Sequence, residues 1–290
     1  MAAFKGCLRI SRPAYHRILD RINTVSHCIG INMRISYNFN QKLALLIGLA
    51  GLIIIGVFLL PPIPQDAAYH QFADKNSYWG VPNFWNVASN LLFLLVGLLG
   101  MRDIVRGRLV ILPEFRVGYL TFFIGVALVC PGSAYYHLTP DNASLLWDRL
   151  PMTIAFMALF VIVIAEYLSV PAAQRLLWPM VVIGIFSVFY WHITELKGQG
   201  DLRPYAVVQF LPLLLIPLML LLFQPTFSGV GYLWVMLGAY AGAKLSESFD
   251  EPIFRLFHFI SGHSIKHLLA ALGVYYFWLG LRRRKKLASD

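Results

Sequence analysis

The chain has 290 residues, 58% of them hydrophobic and only 13% charged, with a mean hydropathy of +0.66 and a formal net charge of +10. A soluble domain carries about twice that charged fraction, so the composition excludes an ordinary soluble domain and indicates a polytopic membrane protein. The positive residues sit between and beyond the apolar runs rather than on one folded basic face, which fits the positive-inside rule and argues against a nucleic-acid partner. Cys7, Cys28 and Cys130 are too scattered to suggest a disulfide framework or a thiolate metal cluster.

Residues 1–42 are basic and weakly patterned, with Lys5, Arg9, Arg12, Arg17, Arg21, Arg34 and Lys42 set against the one acid Asp20. They are expected to form a cytoplasmic tail, either disordered or a short amphipathic helix on an anionic leaflet. The stretch lacks the apolar region of a secretory signal, and Met33 is an alternative start. A transmembrane domain is expected over 43–281, in eight spans. They cover about 43–60, 83–101, 117–132, 145–168, 176–193, 205–223, 229–245 and 263–281. The seventh is the weakest, diluted by Lys244 and several glycines and serines. The second opens on Asn83, Asn86 and Asn90 at helical spacing, and this polar face should look into the bundle. Residues 282–290 form a basic tail.

Eight crossings put both tails on one side together with the basic 102–116 loop and Arg175. By the positive-inside rule that side is the cytoplasm. The loops 61–82, 132–146, 194–204 and 246–262 then face outward. Compact loops and the lack of a cleavable signal fit a bacterial inner membrane, with the outer face periplasmic.

This topology brings the chemistry-bearing residues to one side. Ser133 and His137 are four apart at the outer end of span three, on one helix face. Asp148 follows eleven residues after His137, at the start of span four. His263 and His267 repeat the four-residue spacing at the start of span eight. Three imidazoles and an exchangeable water make a tetrahedral zinc site with one open position. Zinc lowers the pKa of its water to about 7 and polarises a carbonyl. Asp148 suits the general base, and Ser133 can donate a hydrogen bond to a developing oxyanion. The implied reaction is hydrolysis of an amide or ester near the membrane surface. The residues alone leave alternatives open. Ser133 also reads as a small packing residue and Asp148 as a partner of Arg149, while His70, His192, Glu195 and His258 lie on the same side. Completing the site requires the last span to return beside spans three and four.

The motifs Gly132-Ser133-x-x-Tyr136-His137, Asp148-Arg-Leu-Pro-Met152 and Gly262-His263-x-x-x-His267 resemble the alkaline ceramidase family, as does Asn83-Phe-Trp-Asn86-x-x-Ser89-Asn90. That family belongs to a wider membrane hydrolase superfamily that includes the adiponectin and progestin receptors. The resemblance implies an all-α bundle of seven core helices, here with one extra N-terminal span. It implies zinc held by His137, His263 and His267, with Ser133 and Asp148 beside the zinc-bound water. The implied activity is cleavage of the N-acyl bond of ceramide or a related lipid amide. The alternative within the superfamily is a receptor-like or lipid-sensing protein with a structural zinc. Two departures stand out. Asn83 replaces an acid and the Trp-x-Glu pattern is missing, so calcium is not expected, which leaves Asp66 and Asp74 as carboxylates for any second cation. Lys266 stands where the family often has an aromatic residue.

Overall fold

The structure is a computed structural model and describes residues 38–288. Most of the expected basic N-terminal tail lies outside the described residues. The first span begins at Phe39, four residues earlier than hydropathy suggested, because Phe39 to Lys42 continue the helix without a breaker.

The described residues form an all-α bundle. The helices are α1 (Phe39–Leu59), the short α2 (Phe84–Ala88), α3 (Leu91–Val105), α4 (Arg116–Leu138), α5 (Asn142–Tyr167), α6 (Val170–Leu196), α7 (Arg203–Leu222), α8 (Gly231–Ser248), the short α9 (Asp250–Phe257) and α10 (Gly262–Arg283). Among the described residues seven helices, α2 and α3 counted together as one, are long and apolar enough to cross a membrane, which makes this a multi-pass integral membrane protein. The seventh expected span differs. It is present as α8, but it is not among those seven. Its Lys244 and Glu247 and its small residues lower its hydropathy, and it packs along α10.

Side chains start three of the helices. Asp141 accepts from the Ser144 amide and forms a reciprocal capping box at α5. Its hydrogen bond from that amide also holds the Asp141 carboxyl below the usual range. Ser169 caps α6 and Ser261 caps α10. Because Asp141 caps α5, Asp148 is free of that task.

The central helix is α5, the most buried of the spans, with α4 and α6 on its flanks. At the site end α4 and α5 come into near contact. A Cβ on Gly132 would lie 2.2 Å from the Trp147 carbonyl oxygen, so only glycine allows this approach. Pro151, four residues on, has no N–H to give that carbonyl, so the oxygen is free to face α4. The motif residues Gly132 and Pro151 therefore act together to set the spacing between Ser133 and Asp148.

The last helix does return to the site. It packs mainly on α8 and also on α3 and α2, and meets α4 through Phe277 against Phe122 and Phe123. At the opposite end its continuation is anchored. Arg284 forms a two-pronged pair with buried Glu166 of α5 at 2.7 and 3.0 Å, and Tyr119 of α4 donates to the same carboxylate. Arg282 reaches buried Asp103 at 3.6 Å, which also pairs with Arg102 and Arg108. The 102–116 loop and the C-terminal basic cluster thus share one end of the bundle.

Replacing Gly132 by valine should force α4 and α5 apart. Overpacking of this kind costs about 1–3 kcal/mol. A lowered midpoint of thermal unfolding in detergent is expected; an unchanged midpoint would mean the close approach is not required.

Candidate metal centre

His137 ends α4, and His263 and His267 occupy the first turns of α10. The four-residue step places the last two on one face. In the fold the three rings form a nearly equilateral triangle, with centroids 4.9, 5.0 and 5.0 Å apart. One ring nitrogen from each lies within 4.8 Å of the others, and all three residues are buried. Among the described residues this is the one cluster of three or more His, Cys, Asp or Glu placed to hold a metal ion.

Each ring is held by the surrounding chain. Ser89 Oγ contacts His267 Nδ1 at 2.8 Å, which leaves Nε2 as the free donor atom of that ring. Ser264, between the two histidines of α10, donates to Asn86 Oδ1 at 2.7 Å and ties α10 to α2. Asp250 accepts from the His263 amide at 2.7 Å and, with its other oxygen, from the Ala73 amide at 2.9 Å. Asn83 donates to the His137 carbonyl at 2.8 Å. Asn86 and Asn90 are fully buried, so the polar face expected at the start of the second span does look inward.

The loop between α1 and α2 covers the triad. Phe72 is buried against His137 and His263, with ring centroids 4.7 and 4.8 Å away. His70 contacts the Tyr136 hydroxyl and the Asn142 side chain, each at 3.0 Å. It is therefore a clasp for this loop rather than a fourth member of the cluster. Glu195 accepts from Trp191 Nε1 and from the Gln65 amide. His258 ends α9 with a left-handed backbone. Neither joins the triad. Asp66 caps a short 3-10 turn. Asp74 is buried, accepts from the Asn76 amide, and its carboxyl is pushed up by burial. Asp66 and Asp74 do not form a metal cluster among the described residues.

Beneath the triad lies a cavity of about 380 Å³, within the range of small-molecule sites. His267, Ser133 and Asp148 line its head. Its depth is apolar, with Phe122, Val126, Met152, Phe156 and Leu159 among its walls. Asp148 and Ser133 are both buried, and they face one another across the α4–α5 contact. Asp148 makes no ion pair with Arg149 among the described residues. Lys266 lies at the rim, its ammonium 2.9 Å from both His263 Nε2 and Glu247.

A family model for Ceramidase matches residues 78–225, just over half of the chain. The chain belongs to the Ceramidase family. A search of curated proteins finds no match. The matched stretch runs from the loop before α2 to the end of α7 and includes Ser133, His137 and Asp148. His263 and His267 fall outside it. That they close on His137 is a property of the fold.

The triad could hold a metal ion. His137 Nδ1 is buried without a hydrogen-bond partner among the described residues, and three buried imidazoles are a donor set compatible with zinc. The reading of motifs missed the supports: Ser89, Ser264, Asp250 and Phe72. Ser89 had a signal, since it lies in the same motif as Asn86 and Asn90. Phe72 had none, because a loop aromatic acquires its place only when the loop folds.

Partners that orient a ligating histidine typically contribute about 10–100-fold to metal affinity. Ser89→Ala should weaken metal binding at the triad by that margin, as read with added zinc by competition with a chelating dye. Unchanged affinity would remove Ser89 from this role.

Proposed function

We propose that this chain is a zinc-dependent lipid amide hydrolase of the ceramidase type. The observation that carries the reading is the convergence of three buried imidazoles, one of which, His267, lines an apolar cavity together with Asp148 and Ser133. Zinc bound by His137, His263 and His267 would supply Lewis acidity for water activation and carbonyl polarisation.

The chain's own residues divide the remaining work. The cavity depth receives the acyl chain, which leaves the amide near His267, Ser133 and Asp148. Asp148 takes the proton from the attacking water as its oxygen bonds to the carbonyl carbon. Ser133 donates a hydrogen bond to the oxygen on which negative charge develops. Asp148 then returns the proton to the amide nitrogen, the C–N bond breaks, and a fatty acid and an amine leave. Phe72 and the loop that carries it keep bulk water from the triad, so these interactions act in a low-dielectric setting. With a ceramide the amine is a sphingoid base, and a lipid can enter sideways between helices. We assign the shared basic end to the cytoplasm and the zinc site to the outer side, by the positive-inside rule.

Purified protein should contain about one zinc per chain and hydrolyse a ceramide, with loss on chelation and recovery on adding zinc. His267→Ala should lose the metal. Asp148→Asn should keep it and lower kcat by about 10²–10⁴-fold, the usual contribution of a positioned acid–base group. Full turnover in chelator, or in Asp148→Asn, would overturn the assignment.

A further inference from the structure

The cavity holds an excess of positive charge. Besides histidine, its charged lining is Asp148, Glu247, Arg149, Lys244 and Lys266. Two carboxylates against three cations leave one net positive charge, and a metal ion adds to it. Lys244 and Lys266 both pair with Glu247. Arg149 is the cation without a carboxylate among the described residues.

Arg149 is only 6% exposed. Its guanidinium lies 4.3 Å from the centre of the Trp191 ring and 4.7 Å from that of Tyr205. Nη2 donates to Gln65 Oε1 at 2.6 Å, while Nη1 is buried and has no hydrogen-bond partner among the described residues. Burying an unpaired charge is costly. The rings recover part of that cost, but Nη1 is left without an acceptor among the described residues. A rigid guanidinium with a free Nη1 beside a bonded Nη2 is suited to meet one oxygen of a planar or tetrahedral oxyanion.

The position of Arg149 fixes where such an anion would sit. It is adjacent in sequence to Asp148, with Cα atoms about 3.8 Å apart, and both line the same cavity. The acyl side of a bound amide belongs in the apolar depth, so a group meeting Arg149 must lie on the amine side, a few bonds from the scissile nitrogen.

We propose that Arg149 recognises the substrate headgroup and that the preferred lipid amide carries an anionic oxygen group, a carboxylate or a phosphate, on its amine side. This rests on the amide-hydrolase reading above. The test compares N-palmitoylglycine, the O-phosphate of N-palmitoylethanolamine, neutral N-palmitoylethanolamine and a ceramide on the zinc-loaded protein. The expected result is a kcat/KM for at least one acidic amide about tenfold or more above that of its neutral counterpart. Which acidic compound leads tells carboxylate from phosphate. In Arg149→Gln the ratio should fall to near one, chiefly through KM. A ratio within one preparation is unaffected by a partly misfolded fraction, and Arg149→Lys serves if the glutamine variant does not fold. A wild-type ratio of one or less, or a ratio unchanged by both variants, overturns the proposal. If no amide is hydrolysed, the hydrolase reading fails, and calorimetric binding decides this one separately. Tighter binding of an acidic amide that is lost with Arg149 sustains it, and equal binding of acidic and neutral amides overturns it.

Discussion

Three imidazoles packed against one another inside an apolar bundle impose the main constraint on this fold. Their convergent nitrogens cannot be satisfied by water at that depth, and their backbones belong to helices far apart in sequence. Every contact near them serves to hold that convergence. Asp250 fixes the start of α10, Ser264 and Asn86 join α10 to α2, Ser89 sets the rotation of His267, and Asn83 fastens the end of α4. The result is a preorganised site in which ring positions are determined before any ligand arrives. Such preorganisation is the condition under which fixed dipoles and charges lower a barrier.

The two ends of the bundle use charge differently. At the basic end Glu166 and Asp103 are buried carboxylates, Glu166 paired with Arg284 and Asp103 with Arg102, Arg108 and Arg282. The two-pronged Arg284–Glu166 pair and the Tyr119 hydroxyl satisfy one another, so this end is anchored and closed. At the site end Lys244 and Lys266 share one carboxylate, and among the described residues Asp148 has no ion pair and Arg149 keeps a free donor. Polar groups left unsatisfied in this way are expensive in an apolar setting. In the cavity lining, Asp148 without an ion pair and the free Arg149 donor set this end apart from the anchored one.

The large features were legible in the sequence because they depend on local periodicity and length. Hydropathy located the spans within a few residues, and the four-residue spacing of Ser133 with His137 and of His263 with His267 identified faces that do meet. Gly132 and Pro151 were visible as motif residues, but their joint action was not. The carbonyl that proline releases at position 147 matters only because another helix lies against it. The covering loop was illegible for a similar reason. His70 read as a possible ligand, and the structure makes it a clasp between Tyr136 and Asn142. Phe72 carried no signal at all. Long-range packing selects such residues, and no spacing rule encodes it.

The weak seventh span shows how a deviation from pattern can itself be informative. A helix wholly exposed to lipid gains nothing from Lys244 and Glu247, whose transfer into hydrocarbon is unfavourable. Here α8 lies along α10, and Tyr240, Lys244 and Glu247 line the cavity beside Lys266. Glu247 holds the ammonium that also touches His263. The low hydropathy of α8 therefore has the same origin as the polar start of the second span and the histidines of the last. Each marks a helix surface turned away from lipid and toward the buried histidines or the cavity beside them. Sequences usually break their own local rules where function demands it. In this chain two of the breaks in hydropathy pattern, Ser133–Asp148 and Lys244–His267, border a single cavity, and the third, Asn83–Asn90, braces the histidines beside it.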